Sequence, residues 1–236
     1  MRYPGPLLQG TLVRRYQRFF ADVRLRNGHV VTAHTPNTGR MLGCSAPGSR
    51  VWISRADPAR RRRLRYTLEI VEAGAVLVGV NTLLPNRLVE RAVLERAIPE
   101  LAGHGPPRRE VRVGRSRIDL VLGREAPLCY VEIKNVTLVE GGVARFPDAV
   151  TERGRRHLEE LARLVQRGHR AVTFFLVQRA DGQRLRPADD IDPRYGRALR
   201  RAVRRGVDVL AYRAAVSPRG VALADRIPLE LARQRR

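Results

Sequence analysis

Apolar and polar residues alternate in short stretches through the first third of the chain. Residues 7–13, 21–26, 30–33, 50–54, 67–71 and 76–81 each read as a strand, with Asn27-Gly28 as the turn between the second and third. Five or six short strands joined by polar loops predict a small β-barrel. From Leu84 the period lengthens. Pro85 stands where a helix can begin, and Leu88, Val89, Ala92 and Val93 recur at helical spacing up to Ile98-Pro99. Residues 111–122 and 128–138 form two extended runs. A helix is predicted over 151–166, ended by Gly168, and a covered strand over the continuous apolar run 171–177. Asp192-Pro193 opens a further helix that stops at Gly206, and a strand follows over 207–212. Helix, paired strands, helix, strand, helix, strand is an α/β order. The chain is therefore read as a β-barrel over residues 1–82 followed by an α/β domain over 83–236.

Composition narrows the partners. The 236 residues carry 46 Lys+Arg against 23 Asp+Glu, a formal net charge of +23, and a field of that size attracts phosphate. No window approaches 18 consecutive apolar residues, and the first residues lack a secretory pattern, so no membrane partner and a cytoplasmic location are expected. Cys44 and Cys129 are too few for a disulfide framework or a thiolate cluster. Lys134 is the sole lysine among 45 arginines. A GC-rich coding bias accounts for such a ratio, so many surface arginines carry no duty beyond solubility, and the surviving lysine is the residue to explain.

The two extended runs hold the candidate chemistry. If they form an antiparallel hairpin centred between residues 125 and 126, opposed residues sum to 251. Ile118 then faces Ile133 and Leu120 faces Val131, giving one apolar face. On the other, Asp119 lies opposite Glu132, with Lys134 two residues along the same side. Opposed side chains have Cβ atoms about 4.5–5.5 Å apart, where two carboxylates repel unless a cation lies between them. Such a pair suits Mg²⁺ or Mn²⁺, with water and a substrate phosphate completing the shell. The ion polarises the phosphate and activates water. A lysine positions that water, a task for which planar, always-charged arginine is a poor substitute. The bland reading is a surface ion pair between Glu132 and Lys134 with Asp119 solvated.

With its acid opposite Glu-x-Lys and a helix and covered strand downstream, the pattern resembles that of the PD-(D/E)xK nucleases. The stretches His34-Thr35-Pro36-Asn37-Thr38-Gly39, Asn81-Thr82-Leu83, Asn86-Arg87-Leu88, Ser116-Arg117-Ile118-Asp119, Val131-Glu132-Ile133-Lys134 and Phe146-Pro147-Asp148-Ala149-Val150-Thr151-Glu152-Arg153-Gly154 resemble the sugar fermentation stimulation protein (SfsA) family. The resemblance implies an N-terminal OB-like barrel, a C-terminal PD-(D/E)xK restriction-endonuclease-like α/β domain, and DNA binding without marked sequence preference. It also implies a role in regulating sugar metabolism. Asp119 and Glu132 correspond to metal ligands and Lys134 to the water-positioning group. Glu110 corresponds to a further acid, although its parity along the first run is opposite to that of Asp119.

Candidate nucleic-acid contacts are the donor-rich turn His34, Asn37, Thr38 and Arg40, the cationic run Arg60, Arg61, Arg62 and Arg63, the helix-start pair Asn86 and Arg87, and Arg153 with His157 one turn apart. Each also has an ordinary reading as a self-bonded loop, a solvated charge run or a helix surface. Three functions remain open: a metal-dependent phosphodiesterase on single- or double-stranded DNA, a non-catalytic DNA-binding regulator on the same scaffold, and a protein that is basic only through coding bias.

Overall fold

The computed structural model describes residues 1–57, 59, 63–114 and 116–232. The first six strands are β1 (Leu8–Tyr16), β2 (Phe20–Leu25), β3 (Val30–His34), β4 (Arg50–Arg55), β5 (Tyr66–Ala73) and β6 (Val76–Gly79). They run β3-β2-β1-β4-β5-β6, and a parallel pairing of β3 with β5 closes the first five into a barrel. This is the expected OB-like architecture. Leu12, Ala21, Val23, Val51, Ile53 and Leu68, at alternating strand positions, fill it. Trp52 of β4 is buried as well.

A buried carboxylate ties the barrel to the first helix of the second unit. Glu69 accepts from Ser54 Oγ at 2.6 Å and from Asn81 Nδ2 at 2.8 Å, while Asn81 Oδ1 accepts the Leu83 amide at 2.9 Å. Burial raises the Glu69 carboxyl above its usual range. Asn81 thereby fixes the approach to helix α1 (Leu84–Leu94), whose first turn contains Pro85.

The second unit is a six-stranded sheet covered on both faces. Its strands are β7 (Pro107–Val113), β8 (Ser116–Leu122), β9 (Cys129–Val136), β12 (Arg170–Val177), β14 (Asp208–Ser217) and β15 (Gly220–Arg226), in the order β15-β14-β12-β9-β8-β7. A small sheet of β10 (Leu138–Glu140), β11 (Val143–Phe146) and β13 (Arg184–Pro187) lies beside it. Helices α2 (Glu152–Gln166) and α3 (Pro193–Arg204) supply the β9-α2-β12 and β12-α3-β14 crossovers between parallel strands. β12 shows why its sequence is continuously apolar. Val172, Phe174 and Leu176 pack with α1's Leu88 and Val89, while Ala171, Phe175 and Val177 pack with Leu158, Leu161 and Leu199 of α2 and α3. Asp192 anchors both helix starts on that side, accepting from Tyr195 N of α3 and from the Thr151 amide ahead of α2, each at 2.9 Å. Thr151 in turn caps α2 at Gly154 N, at 3.0 Å.

Three expectations about the paired runs are corrected. Residues 111–122 are not one strand. Gly114, with φ +56°, lies in the turn that folds them into the β7–β8 hairpin. The 251 register holds for Leu120↔Val131, Val121↔Tyr130 and Leu122↔Cys129, and the β8–β9 ladder ends there. Ile118 does not face Ile133: it packs among Leu158 and Leu161 of α2, whereas Ile133 packs with Leu88 and Val89 of α1. Ile118 and Leu120 thus bury toward opposite faces although two residues apart, so β8 twists at Asp119. Residues 128–138 likewise divide between β9 and β10. Among the described residues no helix is long and apolar enough to cross a membrane.

Candidate functional site

Where β8 peels away from β9, a cleft of about 300 Å³ opens between the barrel and the second unit. Its chemistry comes from three elements. β9 carries Glu132 and Lys134 at alternate positions, so both point to the same face. The twist in β8 delivers Asp119, and the first turn of α1 delivers Asn86. Asp119 Oδ2 accepts the Ile133 amide at 2.8 Å, taking the place of the ladder bond lost at the splay, and its Oδ1 accepts from Asn86 Nδ2 at 2.8 Å. The hairpin arithmetic therefore brings Asp119, Glu132 and Lys134 into one cleft, although Asp119 reaches it through a twist that the arithmetic lacks.

The electrostatics differ between the two carboxylates. Burial, together with the charge of Glu132, raises the Asp119 carboxyl to about 6. Burial pushes Glu132 the same way, but Lys134 and His157 overcome it and hold its carboxyl below the usual range. Lys134 Nζ donates to Glu132 Oε1 at 2.7 Å, with side chains only 11% and 3% exposed. The surface ion-pair reading does not describe a contact buried to that degree.

His157 is a correction. It is no phosphate contact on a helix surface. It is 5% exposed, and its Nδ1 hydrogen-bonds Glu132 Oε1. Arg153 Nε donates to His157 Nε2 at 3.3 Å. Glu132 Oε1 therefore takes two donors. Its Oε2 is buried and has no hydrogen-bond partner among the described residues. A negatively charged oxygen in that state is costly unless a cation meets it. Hard carboxylate oxygens of this kind fit Mg²⁺ or Mn²⁺, and Asp119 keeps lone pairs beyond its two accepted bonds. Among the described residues no three His, Cys, Asp or Glu side chains gather as a metal-holding group, so a cation in this cleft would be held by Asp119 and Glu132 and completed by water or substrate oxygens.

Glu110 is directly across the β7–β8 hairpin from Asp119, since Arg109↔Leu120 and Val111↔Ile118 flank the pair. The parity objection thus disappears because the run is a hairpin. Glu110 nevertheless takes φ +55° and pairs with Arg117 at 2.7 Å on an exposed edge, and it does not line the cleft.

The nucleic-acid candidates divide. Asn86 and Arg153 line the cleft; Arg87 is exposed on α1 beside it. In the barrel turn Asn37 lines the cleft but is buried and accepts the Gly39 amide at 2.9 Å, the self-bonded arrangement, while Thr38 and Arg40 are exposed. His34 ends β3, paired with Phe20 and Thr67. Arg63 is exposed, and Arg60, Arg61 and Arg62 lie outside the described residues.

Two residues that shape the cleft escaped the sequence reading. Arg15 of β1 donates through Nη2 to the carbonyls of Arg18, Asn37 and Gly39 at 2.7–2.9 Å, clamping the 37–40 loop. Asp148 lines the cleft from the opposite side, and its Oδ2 accepts the Met41 amide at 2.9 Å. Asp148 stands in one of the stretches that carry the family resemblance, so a signal existed; Arg15 is one arginine among many on a strand and had none. Arg145, which pairs with Glu140 and Asp190, adds a third cation to the cleft beside Lys134 and Arg153.

Comparison with known proteins agrees with the architecture. Residues 83–220 match the family profile described as the sugar fermentation stimulation protein RE domain, and residues 13–80 match the SfsA N-terminal OB domain. The chain is 57% identical over 234 residues to a sugar fermentation stimulation protein homolog of Geobacter metallireducens, covering 98% of this chain and all of the relative. It is 52% identical over 235 residues to the homolog of Maricaulis maris, with 98% and 100% covered. The solved structure of Pyrococcus furiosus SfsA in complex with Ca²⁺ superimposes with a TM-score of 0.89 at 28% identity, covering 98% of each chain. The chain belongs to the sugar fermentation stimulation protein family.

Proposed function

We propose that this chain is a DNA-binding phosphodiesterase of the PD-(D/E)xK type that depends on Mg²⁺ or Mn²⁺ and acts without marked sequence preference. The observation that carries the reading is Glu132 Oε2, a buried carboxylate oxygen without a hydrogen-bond partner among the described residues, in a cleft shared with Asp119 and Lys134. The Ca²⁺ held by the Pyrococcus furiosus relative supports a divalent ion in this fold.

Asp119 and Glu132 would hold the ion, which supplies positive charge against the scissile phosphate and lowers the pKa of water. Lys134 spends one N–H on Glu132 Oε1 and keeps two for an attacking water or a phosphate oxygen. Ion-paired to Glu132, it stabilises charge that builds on the phosphate. Arg145 and Arg153 line the same cleft and steer the polyanionic backbone into it. His157 holds Glu132 in place from beneath. The DNA backbone lies between the second unit and the barrel loop that Arg15 clamps.

The test is a cleavage assay. Purified protein, with Asp119→Ala and Lys134→Ala in parallel, meets labelled single-stranded, duplex and branched DNA with Mg²⁺, Mn²⁺ or EDTA. Metal-dependent product from the wild type alone is expected. Equal binding by all three proteins with no product under any condition would instead make the chain a DNA-binding module on a nuclease scaffold.

A further inference from the structure

α3 is a twelve-residue helix without a single acidic side chain. Arg194, Arg197, Arg201, Arg204 and Arg205 stand exposed along it and its C-cap, and none makes a side-chain hydrogen bond or ion pair among the described residues. Arg200 alone is neutralised, by Asp189. Arg197, Arg201 and Arg205 follow one another at i, i+4, where like charges on a helix repel. Coding bias explains arginine in place of lysine but not three unpaired cations on one ladder.

The ladder borders a groove of about 150 Å³ between α2 and α3. Small residues Ala162, Ala198 and Ala202 form its floor, and Arg163, Arg201 and Arg205 form its rim with Glu159. Arg163 bonds Glu160 at 3.0 Å. The groove is connected to the cleft by α2 itself. Arg153, in the first turn of that helix, lines the cleft, and the exposed Arg156 and Arg167 continue along it. Fifteen helical residues at 1.5 Å each span about 22 Å, so the cationic track runs that far from the carboxylates. Successive i, i+4 guanidinium positions rise about 6 Å, comparable with adjacent phosphates of one strand. An anionic membrane is a poor match: such helices bury apolar side chains in the interface, and every exposed large hydrophobic residue among those described lies outside α2 and α3.

We infer that the α2–α3 arginine face is a second nucleic-acid site, which grips the sugar-phosphate backbone of DNA as it leaves the cleft. This rests on the DNA reading above and adds where the strand runs. The experiment compares wild type with the triple variant R197Q/R201Q/R205Q and with R197K/R201K/R205K, measuring affinity for a long duplex against salt concentration. Each lost phosphate contact lowers the slope of log affinity against log salt by about 0.9. The Gln variant is expected to lose about two to three units of slope and about tenfold or more in affinity at 0.1 M salt. The Lys variant keeps the slope, because counterion release depends on charge. The melting temperature of the Gln variant is expected to hold or rise as the repelling ladder is removed. A Gln variant with wild-type slope and affinity overturns the inference, as does a Lys variant that loses as much as the Gln variant. Loss of binding to anionic phospholipid vesicles with DNA binding intact overturns it too, assigning the face to a membrane. Failure of the wild type itself to bind DNA would strike at the underlying DNA reading instead.

Discussion

His157 and Lys134 converge on the same oxygen, Glu132 Oε1, one from helix α2 and the other from two residues along β9. Two donors on one carboxylate oxygen fix the plane of the group and leave the other oxygen, Oε2, without a hydrogen-bond partner among the described residues. Replacing His157 by Ala removes a buried hydrogen bond to a charged group, for which about 1.5–3 kcal/mol is typical. The variant is expected to melt earlier by a corresponding amount and to lose metal-dependent activity. Its DNA affinity and salt slope remain those of the wild type, because the buried ring touches no phosphate. A reduced salt slope in this variant would contradict the burial of His157.

Lys134 is expected to tolerate no cationic substitute. Lys134→Arg keeps the charge but places a planar fork where a compact ammonium sits 2.7 Å from Glu132. Single-turnover cleavage should fall by about a hundredfold or more for both Lys134→Arg and Lys134→Ala, the scale on which a charge-stabilising group acts. Binding to uncleaved DNA in Ca²⁺ should change by less than about threefold for the Arg variant. Recovery of near-wild-type cleavage by arginine would remove the explanation for a single lysine among 45 arginines.

These residues also mark how far the sequence could be read. The trio was legible because strand pairing is local arithmetic: a turn near residue 125 and a period of two suffice to bring Asp119 close to Glu132 and Lys134, although the ladder itself ends at Leu120↔Val131. The twist that sends Ile118 and Leu120 to opposite cores was not, since it depends on Asp119 taking the Ile133 amide in place of a ladder partner. The break at Gly114 was hidden for a related reason. An apolar alternation that continues through a glycine looks like one strand until its two halves are seen to pair. The start of α3 was legible to the residue at Asp192, where the capping side chain and the following proline are the signal, and α2 begins within one residue of the expected start. The cleft wall was not legible, because the loop that Arg15 clamps meets Asp148 only where the barrel lies against the second unit.

That docked wall predicts a sensitivity at Gly39. A methyl group there would lie 2.7 Å from both carboxylate oxygens of Asp148 and 3.0 Å from Asn37 Oδ1. Asp148 is not free to swing away without releasing the Met41 amide. Gly39→Ala should displace the loop, and Arg15→Ala should loosen it by removing three carbonyl contacts at about 1 kcal/mol or less each. Both changes should speed hydrogen exchange at the amides of residues 39 and 41 while leaving exchange in β12 unchanged. Unchanged exchange at those two amides in both variants would show that the clamp does not hold the loop.

Asp119 also makes stability depend on pH. Its folded-state carboxyl is raised to about 6 by burial and by the Glu132 charge, above its unfolded value near 3.9. Between those values the folded chain binds the proton more tightly than the unfolded chain. Stability in the absence of divalent ions therefore falls as pH rises through this window, and the cost is fully present above it. A shift of this size corresponds to about 1–3 kcal/mol. Asp119→Asn cannot ionise, so the stability of the wild type relative to this variant should decline by that amount between pH 4 and pH 7 in EDTA. Mg²⁺ or Mn²⁺ should restore the wild type at pH 7 and leave the Asn variant nearly unmoved, because the ion meets the charge that burial penalises. Chemical denaturation of both proteins at the two pH values, with and without metal, measures each of these differences. A wild-type chain that metal does not stabilise at pH 7 would mean that Asp119 and Glu132 do not share a cation.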